Sequence, residues 1–290
     1  MNRIRLLGAA LNTLALPAPG LAGTLLRPLW ARPGKPRQIR AEDRELHQSA
    51  RTGTLEVGQW SVVTYAWGDG ARPVLLVHGW RSRAIRFAPL IRLLLDLGYS
   101  PVSWDAPGHG STGGPLGTIL DAQRIMGLLQ EEHGDFAMVV GHSLGAPFSM
   151  YALRHGLRAD RLALVSGVSD FGFFVDHFAG VLGLSPRAVT ALRTAIENHY
   201  FDGDPTVWER FSAAHDPEAL TSPVLLLHDE EDAFVPVGQS RITTAALGNR
   251  ARLVTTEGLG HSHVISDAGS LDLVIEFLQG SSVPARTERG

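Results

Sequence analysis

The sequence contains no cysteine, which excludes disulfide bonds, thiolate metal ligands and a cysteine nucleophile. Lysine is almost as rare, because Lys35 is the only one and it lies in a Pro/Gly stretch. A Schiff-base lysine or a Ser-Lys dyad therefore has no good candidate. The formal net charge of -3 lacks the basic excess that attracts phosphate backbones, so we expect no nucleic-acid partner. No apolar run reaches the roughly 20 residues of a membrane-spanning helix.

Apolar side chains make up 44% of the 290 residues, enough for a full-size core. From residue 50 onward, short β-rich runs alternate with longer helical patterns, which predicts an α/β fold with a parallel sheet and helices on both faces. Nearly continuous apolar runs are typical of strands buried on both faces. Such runs occupy 74–79, 101–105, 136–141, 161–167 and 223–229, with a final strand at 252–256 and an alternating, exposed hairpin strand at 60–67.

A long interruption of this alternation divides the chain into domains. Residues 169–221 contain eight aromatic side chains, and we predict that they form a helical cap insertion over the active site. Ordinary packing of a helical excursion is the alternative. The remaining parts are an N-terminal apolar and helical segment (1–50), a core built from 51–168 and 222–280, and a disordered tail (281–290).

A Gly-x-Ser-x-Gly sequence at Gly141–Gly145 follows a predicted buried strand and precedes a helical pattern. A serine in such a tight turn adopts an unusual backbone conformation, and the flanking glycines let neighbouring backbones pass. We therefore predict that Ser143 is the nucleophile. The N–H groups of Leu144, in the turn, and of Trp80, after an earlier strand, are the expected oxyanion donors. His78, beside Trp80, is interpreted as bracing its loop.

The acid and base that assist such a serine are expected after later strands, in the order Ser, acid, His. Four acidic residues occupy 229–232, and Asp232, a short turn beyond the strand, is the predicted orienting acid. Asp170 is the fallback. His261 directly follows a Gly-Leu-Gly turn and is the predicted general base, with His263 as the alternative. A metal-binding His-x-His pair is the other interpretation, but neighbouring ligands do not support it.

Five ordered motifs together resemble the α/β-hydrolase superfamily, in its serine esterase/lipase-like branch. Besides the serine turn they are HGW at 78–80, DAPGHGST at 105–112, D-x-x-V-P at 232–236 and G-x-G-H at 258–261. The resemblance covers about residues 55–280. It implies an eight-stranded, mostly parallel sheet and an acyl-enzyme mechanism in which Ser143 attacks a carbonyl, His261 moves the protons and no cofactor or metal is needed. Within DAPGHGST, Asp105 and His109 are interpreted as structural.

The expected partners are a small hydrophobic acyl ester and water. Cofactor-free haloperoxidases, perhydrolases and carbon–carbon bond hydrolases share the serine triad, so these activities stay open. A non-catalytic ligand-binding protein on the same fold is a further alternative. Dehalogenases and epoxide hydrolases are disfavoured, because they generally carry aspartate where this chain has Ser143.

The N-terminal segment allows three interpretations. Arg3 and Arg5 precede an apolar run from Leu6 to Leu16, which faintly resembles a secretory signal, although the Pro17–Pro19 interruption argues against one. An amphipathic helix lying on the domain or on a membrane surface is the second interpretation, and plain fold-capping structure is the third. We expect a cytoplasmic protein, with membrane-associated or secreted as alternatives, and weak membrane-surface contact through the N-terminus.

Overall fold

The computed structural model describes residues 3–34 and 37–280, so the predicted disordered tail at 281–290 lies outside the described residues. One sheet of eight strands runs through the molecule in the order β1-β2-β4-β3-β5-β6-β7-β8. β2 is antiparallel to both of its neighbours and all other pairs are parallel, which confirms the predicted α/β sheet. The strands are β1 Arg51–Val57, β2 Trp60–Ala66, β3 Pro73–Val77, β4 Ser100–Trp104, β5 Met138–His142, β6 Leu162–Val165, β7 Val224–Asp229 and β8 Ala251–Thr256.

Helices cover both faces of this sheet. They are α1 Arg3–Ala15, α2 Pro19–Trp30, α3 Arg44–Gln48, α4 Ala88–Asp96, α5 Ile119–His133, α6 Gly145–Arg154, α7 Phe173–Leu182, α8 Pro186–Tyr200, α9 Val207–Arg210, α10 Gly238–Leu247, α11 Gly260–His263 and α12 Ala268–Leu278. One face packs on α5, α6 and α10, and the other on α4 and α12. In β3, Leu75 and Val77 belong to the first core and Val74 and Leu76 to the second. This two-sided burial explains the continuous apolar runs in the sequence.

Two of the strands differ from what the sequence suggested. β1 was not foreseen, because most of its residues are polar or glycine and are exposed at the edge of the sheet. The prediction that 60–67 is an exposed strand is wrong, because most of β2 is buried. β2 has hydrogen-bonded neighbours on both edges, and its side chains enter the cores on both faces.

The N-terminal helices pack on the helices of the 169–221 segment. A Cβ added to Gly8 of α1 would overlap the backbone of α7, and one added to Gly23 of α2 would overlap the backbone of α8. The Asn12 side chain donates to Gly183 O (2.9 Å) and accepts from Ser185 N (2.7 Å) in the α7–α8 turn. α1 and α2 are thus an integral part of the helical layer. Among the described residues, no helix combines the length and the apolar character needed to cross a bilayer.

The start of α6 is the tightest contact between a helix and the sheet. A Cβ added to Gly145 would lie 2.2 Å from Val77 O, at the end of the buried strand β3. Because neither backbone has room to move, we expect Gly145→Ala to lower the free energy of unfolding by about 3 kcal/mol or more, or to prevent folding. Urea denaturation of the purified variant measures this change.

Gly127→Ala is the matched control, since Gly127 lies within α5 and has open space where its Cβ would be. This substitution should raise the free energy of unfolding by up to about 1 kcal/mol, because alanine favours the helix. A Gly145→Ala protein as stable as the wild type would show that α6 does not approach β3 this closely.

Candidate active site

Ser143 occupies the turn between β5 and α6 in a left-handed conformation, with φ of 57°. A non-glycine residue adopts this conformation only where its surroundings enforce it. Here the Ser143 N–H donates to Val165 O and its carbonyl accepts from Ala146 N, both at 3.0 Å. The strand-turn-helix context expected for a nucleophilic serine is therefore present.

Two free backbone donors lie beside this turn. A Cβ added to Gly79 would be 2.8 Å from Ser143 Cβ and 3.2 Å from Leu144 N, so the loop after β3 lies directly against the turn. Trp80 is the next residue in that loop. Neither the Leu144 N–H nor the Trp80 N–H donates to another group in the described part of the chain. Both donors are thus available to a ligand, as an oxyanion hole requires.

Asp232 and His261 form a direct hydrogen bond, with Asp232 Oδ2 2.7 Å from His261 Nδ1. Asp232 Oδ1 accepts from the Phe234 and Val235 N–H groups, each at 2.9 Å. Burial alone would raise the pKa of the Asp232 carboxyl, but hydrogen bonds from His228, His261 and the Val235 N–H outweigh it and hold the pKa well below its usual range. The ionised carboxylate fixes the proton on Nδ1, so His261 Nε2 is left free to accept one.

His228 is a member of this site that the sequence analysis missed. Its ring is fully buried, and its Nε2–H lies 2.8 Å from Val235 O and 3.3 Å from Asp232 Oδ2. Its Nδ1 accepts from the Ser240 hydroxyl at 2.7 Å. The available signal was a histidine near the end of a buried strand, immediately before the acidic loop. His228 thus lies against the same carboxylate oxygen, Asp232 Oδ2, that accepts from His261.

Side chains from other elements hold α11, the short helix that carries His261. His142 Nε2–H donates to His261 O (3.1 Å), and the Arg86 guanidinium donates to Ser262 O. Burial, together with the nearby His261, lowers the pKa of His142 to about 3, so its ring is neutral. His142 immediately precedes Ser143, and its ring centroid lies 5.0 Å from that of His261. The short helix α11, which carries His261, therefore lies beside the serine turn, although no hydrogen bond joins Ser143 to His261 in this structure.

The alternative acids and base have other roles or positions. Asp229 accepts from Leu259 N at 3.0 Å and so anchors the loop before His261. Asp170 is exposed and accepts from the N–H two residues further on. His263 is exposed too. Across residues 3–34 and 37–280, no three His, Cys, Asp or Glu side chains converge as metal ligands.

Asp105 organises the loops beneath the site. Its buried carboxylate accepts from Ala84 N (2.8 Å), Ser111 N (2.6 Å) and the Tyr65 hydroxyl (3.1 Å). These bonds tie the loop after β3 to the loop after β4. His78 adds a second tie, since its Nε2 accepts from the backbone N–H that follows Asp105, at 3.0 Å. Both residues make the contacts of structural groups, as interpreted from the sequence.

A cavity of about 430 Å³ adjoins the serine turn, with Leu144 and Trp80 in its wall. Among the residues that the structure describes, no carboxylate lines it, and the charged residues in its lining are Arg32 and Arg81. The cavity is otherwise mainly apolar and aromatic. Six of the eight aromatic residues in the 169–221 segment line it: Phe171, Phe174, Phe178, Tyr200, Phe201 and Trp208.

The N-terminal segment supplies another part of the cavity wall. Trp30, at the end of α2, lines the cavity, stacks on Trp80 with ring centroids 6.4 Å apart, and meets Tyr200 edge-on at 6.5 Å. The sequence analysis did not foresee this contribution. Nothing in the local pattern around Trp30 indicates which distant residues it meets.

The comparisons with known proteins agree with this arrangement. The model of the alpha/beta hydrolase family matches residues 74–271, more than half of the sequence. The fold and this match define the class: the chain belongs to the alpha/beta hydrolase family. The resemblance inferred from the sequence is confirmed at the level of the family.

Individual relatives are distant. A non-heme haloperoxidase from Rhodococcus erythropolis is 24% identical over 265 residues, which cover 73% of this chain and 94% of the relative. A monoacylglycerol lipase from Paleococcus ferrophilus superposes with a TM-score of 0.59 at 23% identity, over 76% of this chain and 99% of that one. An esterase from Pyrococcus furiosus superposes with a TM-score of 0.63 at 17% identity, over 85% and 97%. The two structural similarities concern the fold alone.

The buried histidine His109 makes the stability of the protein depend on pH. Its Nδ1–H donates to Pro107 O at 3.1 Å, and burial, followed by the neighbouring His78, lowers the pKa of His109 from its usual 6.5 to about 4. Between these values the unfolded chain binds a proton that the folded protein does not, so stability falls as the pH falls. Because of His109 alone, we expect the free energy of unfolding to be about 2 kcal/mol lower at about pH 5 than at neutral pH.

His109→Gln should remove this part of the pH dependence, since the glutamine amide donates to Pro107 O but does not titrate. Denaturant unfolding at neutral pH and at about pH 5 measures the difference. His263→Gln, at an exposed histidine, is the control and should show the wild-type dependence. Equal pH dependence in both variants would show that His109 is not held neutral by burial.

Proposed function

We propose that this chain is a serine hydrolase that cleaves carboxylic esters with an apolar acyl group through an acyl-enzyme on Ser143. The observation that carries the proposal is the Asp232–His261 hydrogen bond, held beside a left-handed serine turn and next to an aromatic cavity. Each part has a place in acyl transfer.

In the proposed reaction, Ser143 Oγ attacks the ester carbonyl while His261 Nε2 accepts the hydroxyl proton. The ionised Asp232 stabilises the resulting imidazolium. The Leu144 and Trp80 N–H groups bind the oxyanion, and each such donor is worth about 3 kcal/mol in the transition state. His261 then protonates the leaving alkoxide. Water repeats the sequence in reverse, releasing the acid and restoring the Ser143 hydroxyl.

The cavity supports an apolar acyl group as the recognised part. Its volume of about 430 Å³ falls within the usual range of small-molecule sites, and its wall is rich in aromatic rings. The 169–221 segment, which includes α7–α9, supplies six of these rings, and in this proposal it serves as a cap. Each methylene buried there contributes roughly 0.8 kcal/mol to binding. An acetyl group is too small to contact most of the apolar wall of the cavity.

A second candidate activity is suggested by the names of two relatives, a non-heme haloperoxidase and a non-heme chloroperoxidase. In that reaction hydrogen peroxide, instead of water, attacks the acyl-enzyme, releases a peroxyacid and restores the Ser143 hydroxyl. The peroxyacid then oxidises a halide ion to hypohalous acid and is itself reduced to the carboxylic acid. The same triad and oxyanion donors serve both reactions, so substrate preference has to distinguish them.

A fluorophosphonate probe tests the nucleophile. We expect it to label the wild type and not Ser143→Ala, because the probe reacts only with an activated hydroxyl. The same substitution should lower kcat for p-nitrophenyl butyrate by about 10⁵-fold or more. Ser61→Ala, at an exposed serine, is the control and should retain labelling and turnover.

The acid is tested in the same assay with a matched pair. Asp232→Asn should lower kcat about 10⁴-fold, because the amide no longer holds the required tautomer of His261. Asp170→Asn, at the exposed fallback acid, should leave kcat unchanged. If the wild type were neither labelled by the probe nor active on any ester, the proposed function would be wrong. If Asp170→Asn lowered kcat as much as Asp232→Asn does, the assignment of Asp232 as the acid would be wrong.

A chain-length series tests the acyl group. We expect kcat/KM to rise at least about ten-fold from p-nitrophenyl acetate to octanoate, because added methylenes enter the aromatic cavity. Phe178→Trp, which narrows the cavity, should reduce this preference, whereas Phe173→Trp, outside the lining, should retain it. Faster bromination of monochlorodimedone with acetate and peroxide than hydrolysis of any ester would favour the second candidate.

A further inference from the structure

The described surface exposes ten large apolar side chains, and their distribution is uneven. Leu97, Leu120 and Ile242 are scattered over separate elements. Val181 lies on α7, against which α1 packs. The other six are concentrated in α1, α2 and their connection, and we call them the N-terminal patch: Ile4, Leu6, Leu7, Leu16, Leu21 and Leu25. A concentration of exposed leucines on this scale marks an interaction site.

The patch exists because α1 and α2 are apolar on both sides. α1 buries Gly8, Leu11 and Ala15, and α2 buries Ala22, Gly23 and Leu26. The opposite sides face away from the protein, where a helix at a water-exposed surface normally carries charged residues. Leu16 and Leu21 are 62% and 53% exposed. These side chains contribute little to the core.

The charge of the same segment is strongly one-sided. Residues 1–40 contain seven of the 26 cationic residues and none of the 29 acidic ones, the first of which is Glu42. The remainder of the chain therefore carries a formal net charge of -10. An apolar helical surface combined with an excess of cations is the composition that binds anionic bilayers.

The helix α2, which carries part of the patch, also reaches the cavity. Exposed Val181, beside α1, lines the cavity, and so do Trp30 and Arg32 at the end of α2. Arg32 and Arg81 are exposed and form no ion pair within the described ranges. The two cations are therefore free to meet an anionic surface on the side of the cavity that α2 covers.

We propose that this chain docks on an anionic lipid bilayer through the N-terminal patch and takes its acyl substrate from that bilayer. The leucines enter the interface between headgroups and acyl chains, and the cationic residues meet the anionic headgroups. The docking step is independent of catalysis, whereas the supply of substrate rests on the proposed ester hydrolysis at Ser143.

Flotation with vesicles tests the docking step on the full chain. The Ser143→Ala background leaves the vesicles intact. We expect this protein to float with phosphatidylcholine vesicles containing about 30 mol % phosphatidylglycerol, more weakly with pure phosphatidylcholine, and less in about 0.5 M salt than in about 0.1 M. Substituting Leu6, Leu16 and Leu21 together by serine should lower the partition coefficient at least about ten-fold.

The matched control substitutes Leu97, Leu120 and Ile242 together by serine. These residues are also large, apolar and exposed, but lie outside the patch. The control should float like the parent, and both variants should keep the parent Tm within a few degrees. Absence of flotation in the parent, or equal flotation of the two variants, would overturn the proposal. A dimer in solution that only the patch variant dissociates would make the patch a self-association surface instead.

The active enzyme separates the docking proposal from the proposed function. With Ser143 present, the patch variant should lose most of its activity on p-nitrophenyl palmitate carried in the anionic vesicles and keep its activity on dissolved p-nitrophenyl butyrate. If the patch variant were as active as the unsubstituted enzyme on both esters, delivery of the substrate from the bilayer would be overturned. Flotation without hydrolysis of either ester would refute only the proposed function.

Discussion

The close approach of three backbone segments at the serine turn is the constraint on which the site depends. The end of β3, the turn itself and the first residue of α6 lie so near to one another that Gly79 and Gly145 have no room for a side chain. The sheet beneath them is buried on both faces, so the turn has no means of relaxing. Ser143 is therefore held in its left-handed conformation, and the N–H groups of Leu144 and Trp80 remain free.

The buried titratable groups around this turn differ in charge. Asp232 is a buried carboxylate whose oxygens accept from two backbone N–H groups and from His261, which compensates for its desolvation. His109, which lines the cavity, and His142, which precedes Ser143, are instead kept neutral by burial. Neither His109 nor His142 therefore adds a positive charge near the Asp232–His261 pair.

The sequence predicted the features that depend on local pattern. The parallel strands and the serine turn follow from runs and spacings of neighbouring residues, so the sheet was predictable. The edge strand β1 was not, because its polar residues resemble a loop. His228 and Trp30 escaped notice because only the folded chain brings them to Asp232 and to the cavity. The roles of Ser143, Asp232 and His261 stay predictions until the variants are measured.

The packing of α1 and α2 on α7 and α8 also affects how the protein folds. Asn12 and Gly183 are 171 positions apart, yet they share a hydrogen bond, so the helical layer closes one of the longest loops in the chain. During synthesis, α2 precedes its partner α8 by about 160 residues, roughly ten to thirty seconds of translation. Throughout that interval the sides of α1 and α2 that later become buried are exposed together with their leucines. The nascent chain thus exposes more apolar surface in this segment during synthesis than the folded protein does.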